Sequence, residues 1–71
     1  MKAREFIYRV VAKYGYYQTD RDKEYTAEVA RYWTLKRAQD YADRQNEFSK
    51  EAHYFVEQLD YRTMMPVRAY R

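Results

Sequence analysis

Between Glu5 and Tyr17 the chain reads EFIYRVVAKYGYY, a run of β-branched and aromatic residues whose only turn former, Gly15, comes near its end. An extended conformation sorts these side chains: at period two, Phe6, Tyr8, Val10, Ala12 and Tyr14 share one face, and Glu5, Ile7, Arg9, Val11 and Lys13 the other. The first face is apolar throughout and the second is mixed. The pattern predicts a strand over about 4–17, with a helix packed on its first face and solvent or a partner on its second. A strand of this kind belongs at the centre of a sheet.

Size limits what can be built around it. With 71 residues the chain is read as a single domain, 1–71, in the range where one core leaves only about 3–5 kcal/mol of net stability. Such chains need a staple. Cys is absent, and the single His, His53, has no thiol beside it to complete a zinc site, so self-association as a homodimer is the staple expected. A charged fraction of 35% and a mean hydropathy of -1.09 lean toward disorder, but ten Tyr, three Phe and one Trp supply stiff, buriable rings. The chain is therefore expected to fold. No apolar run approaches the roughly 20 residues of a membrane span and the first residues do not resemble a signal region, so a cytoplasmic protein with no membrane partner is expected.

Taken in order, Gly15 marks a bulge or sharp twist near the end of the first strand, and QTDRDK, residues 18–23, reads as the connection of a β-hairpin. The second strand is expected over about 24–33. Strict alternation puts Tyr25, Ala27, Val29 and Trp33 on one face and Glu24, Glu28 and Tyr32 on the other. A register opposing Arg9 to Glu28 and Lys13 to Glu24 pairs opposite charges and aligns Tyr8 with Val29 and Val10 with Ala27. Thr34 is a good N-cap for a helix over about 35–46, with Leu35, Ala38, Tyr41, Ala42 and Phe48 assigned to its apolar stripe and Asn46 as its stop.

Residues 53–62 admit two readings. Ala52, Phe55, Val56 and Leu59 follow helical spacing, which would give a ββαα chain, but the aromatic and β-branched content of His53 to Val56 favours a strand. The strand reading makes 34–62 a crossover and puts the third strand beside the first. The expected fold is thus α+β: a small, mainly antiparallel three-stranded sheet of order 2-1-3 in a ββαβ chain, with one helix on one face. Residues 63–71 form a tail in which Val67 to Tyr70 is free to add a short edge strand.

Little points to catalysis. Ser49 is the only serine, one glycine cannot build a phosphate-cradling loop, and no nucleophile sits in a recognisable setting, so a non-enzyme without a cofactor is expected. Paired carboxylates such as Asp20 with Asp22, or Asp40 with Asp43, have the chemistry for a hard cation, but they suit a polar loop or a solvated helix face better. Charge is unevenly spread: both ends are basic, whereas Tyr14 to Asp60 holds ten acids against seven bases. If the C-terminal segment lies beside the first strand, the ends merge into one basic patch.

The tyrosine surplus with nearby arginine is the composition of a binding surface, although rings at the rim of a small core with hydroxyls reaching water account for it equally well. A protein partner is the first expectation: a non-enzymatic homodimeric module that modulates or inhibits a larger protein, as short phage-encoded inhibitors of host systems do, through Arg9, Tyr16, Tyr17, Tyr32, Arg62 and Arg68. The alternative is a single-stranded nucleic acid or RNA, with Arg4, Arg9, Lys13, Arg62 and Arg68 on phosphates and rings stacked on bases.

Overall fold

The structure, a computed structural model, describes residues 5–14 and 25–70. Its elements are β1 (Phe6–Tyr14), β2 (Tyr25–Tyr32), α1 (Leu35–Phe48), β3 (Ala52–Asp60) and β4 (Pro66–Tyr70). The four strands form one antiparallel sheet of order β2-β1-β3-β4. The α+β class, the central first strand and the 2-1-3 order agree with the sequence reading, and the C-terminal segment joins as a fourth strand at the edge. The ββαα arrangement does not form, because Ala52–Asp60 is a strand paired along its whole length with β1.

Directly opposed residues of antiparallel strands share a face, so the registers sort the sheet into two sides. Val10 opposes Val56 on β3 and Ala30 on β2, and these residues face α1. Val10 and Val56 are wholly inaccessible, as are Ala38 and Ala42 of the helix. The two alanines let the helix approach the sheet closely, and Tyr8, Tyr32, Leu35, Tyr41, Tyr54 and Tyr70 fill the margin around them. On the other side, Ile7 opposes Leu59 and Val11 opposes Phe55, and all four are buried.

The helix begins where expected. The Thr34 hydroxyl accepts from the Arg37 N–H at 3.4 Å, a capping bond that supplies a partner for one of the free N–H groups of the first turn. It ends two residues later than expected, at Phe48, where the Ser49 N–H donates to the Gln45 carbonyl. Asn46 is not a stop. Its side-chain amide donates to the Tyr54 carbonyl at 2.8 Å and accepts from the Tyr54 N–H at 2.7 Å, which ties the end of α1 to the start of β3. Phe48 also departs from the stripe: thirteen residues beyond Leu35 is about 220° around the helix, so the ring points away from the sheet and is 77% exposed.

The register between β1 and β2 differs from the charge-matched one. Arg9 opposes Arg31, Val11 opposes Glu28 and Lys13 opposes Thr26, with a bulge between Val10 and Val11 that leaves Val29 as the extra residue on β2. The bulge breaks strict alternation. Tyr25 and Ala27 share the helix side with Ala30 and Tyr32, while Thr26, Glu28 and Arg31 lie on the other side. A second bulge, opposite Gln58 and Leu59, leaves Val67 as the extra residue on β4. Gly15 and the QTDRDK connection lie outside the described residues.

The turn joining β3 and β4 is built around Asp60. Its carboxylate accepts from the Arg62 and Thr63 N–H groups, its carbonyl accepts from the Met64 N–H at 2.7 Å, and its own N–H donates to the Met65 carbonyl. Met64 takes a left-handed conformation, φ 59°, to close it. The strand predicted to reach residue 62 therefore ends at Asp60, since Tyr61 to Thr63 turn. Among the described residues no helix is long and apolar enough to cross a membrane.

Candidate partner-binding surface

The sheet side away from α1 carries an ion pair in its middle. Arg9 stands between Ile7 and Val11 on β1, and Glu57 between Phe55 and Leu59 on β3, directly across the strands. The Arg9 Nε donates to Glu57 Oε1 at 2.8 Å and its Nη2 lies 2.6 Å from the same oxygen, with both side chains mostly shielded from solvent. Arg9 also faces Arg31 across β1 and β2, a repulsive pairing. Each guanidinium is drawn to its own carboxylate, Arg31 reaching back three residues to Glu28 at 2.8 Å. Four charges in the middle of this side thus balance to zero.

Toward the Tyr14 end of β1, Arg9, Glu28 and Glu57 border a cleft of about 320 Å³ that is also lined by Val11, Phe55 and Thr26. At the opposite end stand two aromatic rings. Trp33 follows the last residue of β2 and Tyr61 the last residue of β3, and their centroids are 5.5 Å apart. β2 and β3 are both antiparallel to β1 and so run parallel to each other, which brings their ends to the same edge of the sheet. Both rings are substantially exposed, Trp33 by 43% and Tyr61 by 49%, and Met65 and Val67 next along the chain are exposed as well.

Comparison with protein-family models, curated proteins and solved structures finds no match. The surface has to be read from its own chemistry. Trp, Tyr and Arg are the side chains that most often dominate binding energy, because each offers a large contact area and a polar group in one stiff unit. Here Trp33, Tyr61, Arg9 and Arg31 are all carried by neighbouring strands or their immediate ends.

Of the residues singled out from the sequence, Arg9 and Lys13 share the side away from the helix, and the others among the described residues are not brought to them. Arg9 is on the side away from the helix, fixed by Glu57. Tyr32 is on the helix side, half-buried, with its ring 6.0 Å from that of Tyr41. Arg68 opposes Gln58, also on the helix side, with its guanidinium 5.0 Å above the Tyr70 ring. Arg62 is exposed in the turn after β3. Tyr16, Tyr17 and Arg4 lie outside the described residues. The basic ends do not merge through β1 and β4 either, because β4 pairs with β3 and the Glu57 strand stands between them. Of the paired carboxylates, Asp43 on the helix accepts from Gln39 at 2.9 Å, and Asp20 and Asp22 lie outside the described residues.

Most of the tyrosines stand on the helix side. Tyr8, Tyr14, Tyr32, Tyr41, Tyr54 and Tyr70 are half-buried there, which is where a ring fills the core margin while its hydroxyl reaches water. Tyr14 stacks on Tyr25 at 4.9 Å, and its phenol pKa is raised above 10.0, first by the charge of the neighbouring Tyr54 phenol and then by burial and a hydrogen bond to Tyr54. Neither Trp33 nor Tyr61 is among the residues that the sequence singles out for binding. The expected strands, 24–33 and 53–62, contain both rings, and no local pattern marks either as exposed.

Proposed function

We propose that this chain is a small non-catalytic protein-binding module that modulates or inhibits a larger protein, and that it docks through the sheet side away from α1. The observation that carries this reading is the exposed Trp33 and Tyr61 pair beside a charge-balanced centre. An aromatic anchor set against neutralised, fixed polar groups suits a protein surface, since burying it strands no unpaired charge. A phosphate backbone instead calls for free cations, and the guanidiniums of Arg9 and Arg31 on this side are already engaged by Glu57 and Glu28.

The test compares the wild-type protein with Trp33→Ala/Tyr61→Ala, first shown to be folded by circular dichroism. A protein retained by the wild type at low and high salt, lost with the double variant, and bound again when both components are purified is the expected result. Equal retention by both forms would reject this surface. Uptake of a mixed-sequence single-stranded oligonucleotide at low salt, released at high salt, would replace the reading with nucleic-acid binding.

A further inference from the structure

We infer that, in the absence of its larger partner, the sheet side away from α1 is covered by a second copy of this chain, two sheets packing face to face with their helices outward. The inference rests on the proposed function in one respect: the second copy and the larger partner use the same side and exclude each other. Three observations commit it to a second copy.

The first is that both sheet edges are guarded. β2 has a bulge at Val29, and β4 is only five residues long, opens with Pro66, which offers no N–H, and has its own bulge at Val67. Bulges, proline and short edge strands are the devices that stop strands pairing edge to edge. Self-association is therefore directed to a face. The helix side is occupied by α1, which leaves the other.

The second is charge. The whole chain carries a formal charge of +3, and two copies brought together at random repel. At the centre of this side Arg9 with Glu57 and Arg31 with Glu28 form two ion pairs of no net charge, with Lys13 beyond them toward the end of β1, so a copy rotated by a two-fold axis meets a centre that does not repel it. The third is area. Four strands about 4.8 Å apart and up to nine residues long give a footprint of roughly 500 Å² per copy. The two footprints together reach about 1,000 Å², the lower bound for a specific interface, so the dimer is a weak one that a larger partner can displace.

Trp33 is the only tryptophan in the chain, so its fluorescence reports directly on this side. The experiment uses the full chain, with light scattering and Trp33 emission followed from low micromolar to millimolar concentration. The expected result is a monomer that becomes a dimer as concentration rises, with Trp33 emission moving to shorter wavelength in step. Arg31→Glu makes the central charges net negative and Glu28→Arg makes them net positive. Each variant alone is expected to weaken the dimer by about tenfold or more, and an equimolar mixture of the two to dimerise again.

Both substitutions are at exposed positions, and restoration in the mixture requires that both variants are folded. A chain that stays monomeric at millimolar concentration overturns the inference and leaves the partner reading standing. So does a dimer whose Trp33 emission does not move, or one that the two variants leave unchanged. Failure of the mixture to restore a dimer that each variant has lost overturns it as well.

Discussion

On the helix side of the sheet, Val10 and Val56 are sealed by Ala38 and Ala42 and ringed by half-buried tyrosines. On the other side, Ile7, Val11, Phe55 and Leu59 are also buried, yet among the described residues no helix or strand lies over them. The first side is closed by backbone brought near through small side chains. The second is interleaved with long ones, the Arg9 and Glu57 pair at its centre and Trp33 with Tyr61 at its end. Stems and rings of this kind shield apolar neighbours while keeping polar tips in water. A side closed by a helix is committed to the fold. A side closed by side chains can be opened and recovered by another surface.

The largest effect is expected at the centre of the helix side. Val10→Asp puts a carboxylate where nothing can pair with it, at a cost above the roughly 3–5 kcal/mol that a domain of this size has in hand. Circular dichroism should show an unfolded chain, and a folded one would mean that α1 does not seal this position. Leu59→Ala makes the same enquiry of the other side. Leu59 is 1% exposed, so truncation should cost about 2–5 kcal/mol in denaturant unfolding if that side is a true half of the core. A loss below about 1 kcal/mol would make the two sides unequal and reduce the second to surface.

How far these two sides were legible in the sequence follows from their construction. β1 alternates cleanly through Tyr14, and Thr34 before Leu35 is an unambiguous helix start, so the central strand, the helix and the strand order could be read. The bulge at Val29 could not. Nothing in TAEVARY marks which residue is extra, and carrying strict alternation across it reverses the faces of every later residue, which puts Trp33 on the face of Ala27 and Tyr32 on the opposite one. Charge matching also misled. Arg9 could be paired on paper with Glu28 on the next strand, but the carboxylate opposite it belongs to Glu57, 48 residues along the chain. Asn46 reads as a helix stop because its clamp on Tyr54 is a tertiary contact with no local mark.

That clamp gives the next effect. Asn46→Ala removes both partners of the Tyr54 backbone groups, which stand partly buried where β4 no longer runs alongside β3. The loss should be about 2 kcal/mol, with faster amide exchange at Tyr54 as the local sign. The comparison sharpens if the Trp33 emission stays unchanged, since the clamp serves only the helix side. Smaller again is the coupling between Arg9 and Glu57. A double-mutant cycle of Arg9→Ala with Glu57→Ala should return about 1 kcal/mol of interaction, whereas Arg9→Ala with Glu28→Ala should return close to none. Equal coupling in both cycles would mean that the four charges act as a delocalised patch instead of two fixed pairs.

The smallest effect belongs to Met64, and it bears on how the second side is held. With φ at 59°, Met64 stands in the left-handed region, which costs an L-residue about 1–2 kcal/mol. Glycine removes that cost but brings an unfolded-state entropy penalty of about 0.5–1 kcal/mol, so Met64→Gly should stabilise the protein by only about 0.5 kcal/mol. The turn itself is already fixed by the Asp60 carboxylate and carbonyl, which bind the Arg62, Thr63 and Met64 N–H groups whatever side chain residue 64 carries. Tyr61 should therefore keep its place against Trp33, and the emission of Trp33 should be that of the wild type. A shift in that emission, with no loss of stability, would show that the strained turn is needed to aim Tyr61, and that the second side depends on its loop as the first depends on its helix.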